Sequence, residues 1–268
     1  MTYAKAPLLE LIVELRWMAS TIGMPPGGPQ FVFSKSPIFD KWNNRLSVSL
    51  EDMGYQHLER LLPHDFPPAL HQPIFRFKRK SKIQFPLVQF GHGIFTINAG
   101  PPDYIDWKSF RPDVEAGISA LLASRPIDSG INELTAVSIR YIDAFRENLR
   151  EGASNYAFMK NNLQASINLP EYVLNLAANE DDILPTIALR FPVKDRANTL
   201  INLQVAAGMV NNEPATVMEM NSITHGKIAT EVATVLDVLD ESQKILHETF
   251  EAMTLKIQDR MQPQKRAE

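Results

Sequence analysis

Apolar and polar positions alternate from Leu8 to Trp17. Leu11, Val13, Leu15 and Trp17 fall on one side and Ile12, Glu14 and Arg16 on the other, which predicts a half-buried strand. Met24-Pro25-Pro26-Gly27-Gly28-Pro29 is a loop by composition. Ser36-Pro37 opens a predicted helix with Ile38, Phe39, Trp42 and Leu46 spaced for one face. Asp52 to Gln72, which contains Pro63, Pro67 and Pro68, reads as irregular surface. Ile74 to Phe77, Gln84 to Gly91 and Gly93 to Asn98 predict a meander of strands, with Gly91-His92-Gly93 as its second turn. Tyr104, Trp107, Phe110, Val114, Ile118 and Leu121 then advance by three or four and predict a helix that stops at Arg125-Pro126.

The pattern starts again at Leu134 to Phe145, a strand with Val137, Ile139 and Tyr141 on one face and Ser138, Arg140 and Ile142 on the other. Tyr156 to Leu163 is a helical segment, and Thr186 to Phe191, Leu200 to Val210 and Val217 to Met220 are strands. A long helical pattern runs from about Thr224 to Arg260 on the stripe Ile228, Val232, Val235, Leu239, Leu246, Phe250, Met253 and Ile257, with one skipped step near Ser242. Met261 to Glu268 is a polar tail. Both halves share the order strand, helical segment, meander, helix. Glu14-Leu15-Arg16-Trp17 parallels Ser138-Ile139-Arg140-Tyr141, and Pro73-Ile74-Phe75-Arg76-Phe77 parallels Ile187-Ala188-Leu189-Arg190-Phe191. The expected fold is α+β and mainly antiparallel. It divides into two similar halves, 1–130 and 131–268, as after a duplication, and the second carries a long terminal helix.

Several of these segments resemble, in order and nearly end to end, a family of uncharacterised proteins sporadically distributed among bacteria and archaea and designated by a number. They are Pro7-Leu8-Leu9-Glu10 running into Glu14-Leu15-Arg16-Trp17; Arg76-Phe77 before Val88-Gln89-Phe90-Gly91 and Ile97-Asn98; Tyr104 to Phe110; Ile139-Arg140-Tyr141-Ile142-Asp143; and Leu246-His247 with Phe250. The family's pattern alternates acidic and apolar residues near Val217-Met218-Glu219-Met220, where this chain keeps only Glu219. The resemblance implies no reaction, cofactor or substrate. Its patchy distribution is similar to that of accessory genes in antiviral defence, toxin–immunity and mobile-element systems.

Composition narrows the function classes. With 44% hydrophobic and 22% charged residues the 268-residue chain has the makeup of a globular protein. A net charge of −4 argues against bulk affinity for nucleic acid or anionic membranes. The absence of cysteine removes disulfides, thiolate nucleophiles and thiolate metal sites. Charged residues interrupt each apolar stretch well short of a membrane span, and Met1 to Glu14 lacks the apolar core of a signal peptide, so a cytoplasmic protein is expected.

The chemistry-bearing motifs are missing or are better explained by structure. Neither G-x-x-x-x-G-K-[ST] nor G-x-G-x-x-G nor G-x-S-x-G occurs. His57, His64 and His71 recur at intervals of seven, but intervening prolines break any helix that would align them, and His247-Glu248 lacks a second histidine. Asp103 and Asp106 beside Lys108 stand too close together for acids contributed by separate strands, and read as first-turn acids of a helix. No catalytic, cofactor or metal residue is therefore assigned. Arg76, Lys78, Arg79, Lys80 and Lys82 form the strongest basic run, readable as phosphate contacts or as a solvated hairpin protected by lysines. Arg16 and Arg140 sit inside apolar strands, where a carboxylate partner or a shared anion site would explain them.

The expectation is a non-enzymatic protein that binds another protein and associates with itself through a seam at Leu246, Phe250, Met253 and Ile257. The alternative is a sensor or enzyme for a phosphate-bearing ligand, nucleotide or nucleic acid that uses Arg16, Arg140, Arg76, Lys78, Arg79 and Lys80.

Overall fold

The computed structural model describes residues 2–19, 21–22, 31–32, 36–79, 84–129, 131–165, 170–179 and 182–264. The strands are β1 (Thr2–Tyr3), β2 (Leu8–Arg16), β3 (Thr21–Ile22), β4 (Phe31–Val32), β5 (His57–Arg60), β6 (Pro73–Lys78), β7 (Leu87–Gly91), β8 (Ile94–Ala99), β9 (Glu133–Phe145), β10 (Thr186–Pro192), β11 (Thr199–Val210), β12 (Glu213–Ala229) and β13 (Pro263–Gln264). The helices are α1 (Pro37–Asp52), α2 (Trp107–Ser124), α3 (Glu147–Arg150), α4 (Asn155–Asn161), α5 (Glu171–Leu174), α6 (Val232–Thr254) and α7 (Gln258–Met261). The chain is thus mixed α/β, and its meanders pair antiparallel. Among the described residues no helix is long and apolar enough to cross a membrane.

Two compact units form, and each is discontinuous in sequence, where the sequence reading drew a single boundary near residue 130. One unit holds Leu11–Ile139 and Ile223–Glu241, and the other Met1–Glu10, Arg140–Ser222 and Ser242–Glu268. The boundaries fall inside β2, β9, β12 and α6.

In the unit built on Leu11–Ile139, strand neighbours run β2-β8-β7-β6-β5. Register converts the alternation of single strands into rows across the sheet. Leu15, Phe95, Phe90 and Phe75 form one apolar row, and Val13, Ile97, Val88 and Phe77 the next. Helices α1 and α2 cover these rows: Phe39 stacks on Phe90 (5.0 Å) and Trp42 meets the same ring edge-on (5.4 Å). Ser36 caps α1 through the Phe39 N–H, with Pro37 in its first turn. Asp106 is the N-cap of α2, in a capping box with Ser109, so the helix starts after Tyr104 and not at it. Between β7 and β8 the turn His92-Gly93 places Gly93 at φ +77°, as a tight hairpin requires.

In the other unit β10 pairs along its whole length with β11, and β11 turns into β12 through Asn211 and Asn212, both left-handed at φ 53° and 65°. β1 pairs with β13, which gives the expected polar tail a strand partner. Ile201, Val205, Met218, Met220, Phe145 and Phe158 are buried here, and the Phe145 and Phe158 rings lie 5.4 Å apart.

Two expectations need correction. The terminal helix begins at Val232, because Thr224 to Ala229 continue β12. Thr216, Met218, Met220 and Ser222 are buried at alternate positions, a period of two that only a strand satisfies. The skipped step in the helical stripe is Ser242, buried and hydrogen-bonded to Ser222 Oγ at 3.0 Å. The second correction concerns Asp52 to Gln72, which includes the edge strand β5, paired through Leu58 with Phe77. The loop at Met24 to Pro29 lies outside the described residues.

Candidate functional site

The face of the Leu11–Ile139 sheet that α1 and α2 do not cover carries the candidate chemistry. Register lines up Glu14, Thr96, Gln89, Arg76 and Glu59 in one polar row, strand by strand. Its neighbour runs Ile12, Asn98, Leu87, Lys78 and His57. Thr96 and Asn98 are buried at its middle, and the Thr96 hydroxyl donates to Asn98 Oδ1 at 2.7 Å.

Each candidate cation on the described part of this unit meets a carboxylate of its own chain. Arg16 Nε lies 2.6 Å from Glu14 Oε1, as residues two apart on one strand face can. Arg76 and Lys78 share Glu59 Oε2, each at 3.3 Å. The Lys78 hydrogen bond and charge, with Arg76 adding, hold the Glu59 carboxyl below its ordinary range. Arg79 donates to Asp113 Oδ1 at 2.7 Å and lies over the Tyr55 ring at 5.2 Å. Burial pushes the Tyr55 hydroxyl up to about 12. Lys80 and Lys82 lie outside the described residues. A phosphate bound here would compete with carboxylates already paired with these cations.

Histidines divide between packing and turn formation. His92 is buried against the Phe39 ring at 3.8 Å, and burial pulls it down to about 4, so it stays neutral. His71 adopts φ 63°, and its Nε2 lies 3.3 Å from the Trp17 carbonyl. Among the described residues no group of three or more His, Asp or Glu is placed to hold a metal ion.

In the other unit Arg140 pairs with Glu219 at 3.3 Å. Asp143, the acid nearest to Arg140 in sequence, is instead 3% exposed, and burial pushes it up to about 7. Its Oδ2 has no hydrogen-bond partner among the described residues. Of the proposed seam, Leu246 and Ile257 are fully buried within the chain, while Phe250 and Met253 are half-buried, with Phe250 6.1 Å from the Tyr3 ring.

Three polar centres escaped the sequence reading. Asp240 accepts from Trp107 Nε1 at 2.7 Å and from Arg111 Nε at 2.9 Å. Glu251 accepts from the Tyr3 hydroxyl at 2.8 Å, and burial, with this hydrogen bond and the Glu251 charge adding, raises the Tyr3 pKa. Arg150, almost fully buried, reaches Glu147, Asn155 and the carbonyls of Ala153 and Pro214. The one available signal was an acid set directly beside an apolar helical stripe, as Asp240 is next to Leu239.

Comparison with protein-family models, with curated proteins and with solved structures finds no match.

Proposed function

We propose that this chain is a non-enzymatic protein whose task is to bind another protein. One observation carries the reading: Tyr172, Val173 and Leu176, in and just after α5, and Leu184 before β10 are all exposed, Tyr172 by 75% and Leu184 by 72%. Tyr172, Val173 and Leu176 stand within five residues of one another, and apolar side chains held in water at such short spacing favour an association surface. The engaged carboxylates of Glu14, Glu59, Asp113 and Glu219 support the same reading, because they compete with any phosphate for the candidate cations. The family resemblance adds the context of an accessory component of a bacterial defence or toxin–immunity system. An origin by internal duplication is part of the proposal and draws on the element order that recurs after β2 and β9.

The test pairs two measurements. Tyr172→Glu with Leu176→Lys is compared with the wild type for capture of a partner from the source cell, followed by binding of that purified partner. Loss of a defined, wild-type-binding partner with an unchanged circular dichroism spectrum is expected. A binding screen with nucleotides and nucleic acids at low and high salt is run alongside. Salt-sensitive binding that disappears in Arg76→Glu with Lys78→Glu overturns the reading in favour of a phosphate-ligand sensor.

A further inference from the structure

β10 ends its sheet: the strand order begins β10-β11, so among the described residues one long side of β10 has no strand neighbour. The geometry of that edge can be worked out residue by residue. The Val193 N–H donates to the Thr199 carbonyl at 2.9 Å, and the Ala207 N–H to the Pro185 carbonyl at 3.3 Å. Hydrogen-bonded pairs alternate along an antiparallel ladder, so Ile187, Leu189 and Phe191 also turn their backbone groups toward β11. Thr186, Ala188 and Arg190 therefore point N–H and C=O at the free edge, and Pro192 points its carbonyl there.

Side chains distinguish this edge from a protected one. Ile187, Leu189 and Phe191 share a face with Val205, Leu203 and Ile201 of β11. Val205 and Ile201 are buried, yet Leu189 is 51% and Phe191 44% exposed. The apolar layer is thus covered over β11 and uncovered over β10. Native edges are usually short, charged or bulged. β5, the edge strand of the other unit, follows that rule with His57, Glu59 and Arg60 in four residues. β10 is seven residues long, has an unbroken register and carries one charge, Arg190.

We propose that two copies of this chain associate edge to edge through β10, antiparallel, about a twofold axis at Leu189. The strand is self-complementary in that register. Ala188 of each copy exchanges backbone hydrogen bonds with Arg190 of the other, and the Thr186 N–H reaches the Pro192 carbonyl, so the missing proline donor falls at the outer end. Leu189 faces Leu189 and Ile187 faces Phe191 in the close, non-hydrogen-bonded positions, which covers the half-exposed apolar row. Arg190 lies opposite Ala188, so no like charges oppose each other. This inference rests on the strand edge and is independent of the partner surface at Tyr172 and Leu176.

The natural absence of cysteine makes a direct test available. Full-length protein is examined by sedimentation over a range of micromolar concentrations, where a reversible dimer is expected. Under mild oxidation Leu189→Cys is expected to form a disulfide-linked dimer, while Ala188→Cys, facing Arg190 of its partner, forms little. Leu189→Lys is expected to weaken the dimer more than about tenfold, and mixing it with Leu189→Glu to restore association as a heterodimer. A wild-type chain that stays monomeric, equal cross-linking at both positions, or a Leu189→Lys chain that still dimerises overturns the proposal. The cross-link reads the register even if the charged variants fold poorly.

Discussion

Arg140 finds its carboxylate at Glu219, 79 residues along the chain and 3.3 Å away, and not at Asp143 three residues on. Glu219 is the one acid in Val217-Met218-Glu219-Met220, and the pairing gives it a structural task. Both side chains are about one-third exposed, so solvent screens the pair. A double-mutant cycle with Arg140→Ala and Glu219→Ala, read by urea unfolding, is expected to give a coupling of about 0.2–1 kcal/mol that shrinks with added salt. A coupling that phosphate reduces further than chloride does at equal ionic strength would instead point to an anion held by Arg140.

Gly91, the last residue of β7, lies against the backbone of Gln72. A Cβ at Gly91 would run into the backbone carbonyl of Gln72, which cannot swing aside as a side chain does. Gly91→Ala is expected to cost about 2–4 kcal/mol in chemical denaturation. A near-neutral substitution would show that the chain around Gln72 relaxes freely.

Asp143 sets a pH dependence with a defined sign. Its carboxyl is held up at about 7 by burial, against about 3.9 in an unfolded chain. Between those values the folded state binds the extra proton, so this group's contribution to stability falls as pH rises from about 4 to about 7 and is level above that. His92 acts with opposite sign, since burial lowers it to about 4 and favours folding of the neutral ring as pH rises. The two are separated by comparing Asp143→Asn with wild type: the stability gained by the variant is expected to grow across pH 4 to 7. A difference independent of pH would show that Asp143 ionises normally in the folded chain.

The terminal helix makes two distinct predictions. Leu246 is fully buried, so Leu246→Ala is expected to lose about 2–5 kcal/mol in urea unfolding without changing the association state. Phe250→Glu with Met253→Lys strikes the half-buried part and the Tyr3 contact, and is expected to lower Tm while leaving the sedimentation of the chain unchanged. Dissociation with a retained circular dichroism spectrum would return this helix to the role of an oligomer seam.

By itself the amino-acid sequence determined the elements whose periodicity is strong and local. Alternation from Leu11 to Trp17 is the alternation of burial in β2, Ser36-Pro37 is the start of α1, and the glycine turn between β7 and β8 stands where the residues required it. These features depend on neighbours within a few residues, so pattern alone specifies them. Tertiary structure decided the rest. The stretch Thr224 to Ala229 became strand as the continuation of β12, whose alternate residues from Thr216 to Ser222 are buried, and a helical stripe that happens to include Ile228 says nothing of that burial. Period-two alternation tells which face a side chain takes, never which strand lies beside it. The polar row from Glu14 to Glu59, the union of Trp107 and Arg111 with Asp240, and the uncovered edge of β10 therefore emerged only once the strands and helices were set against one another.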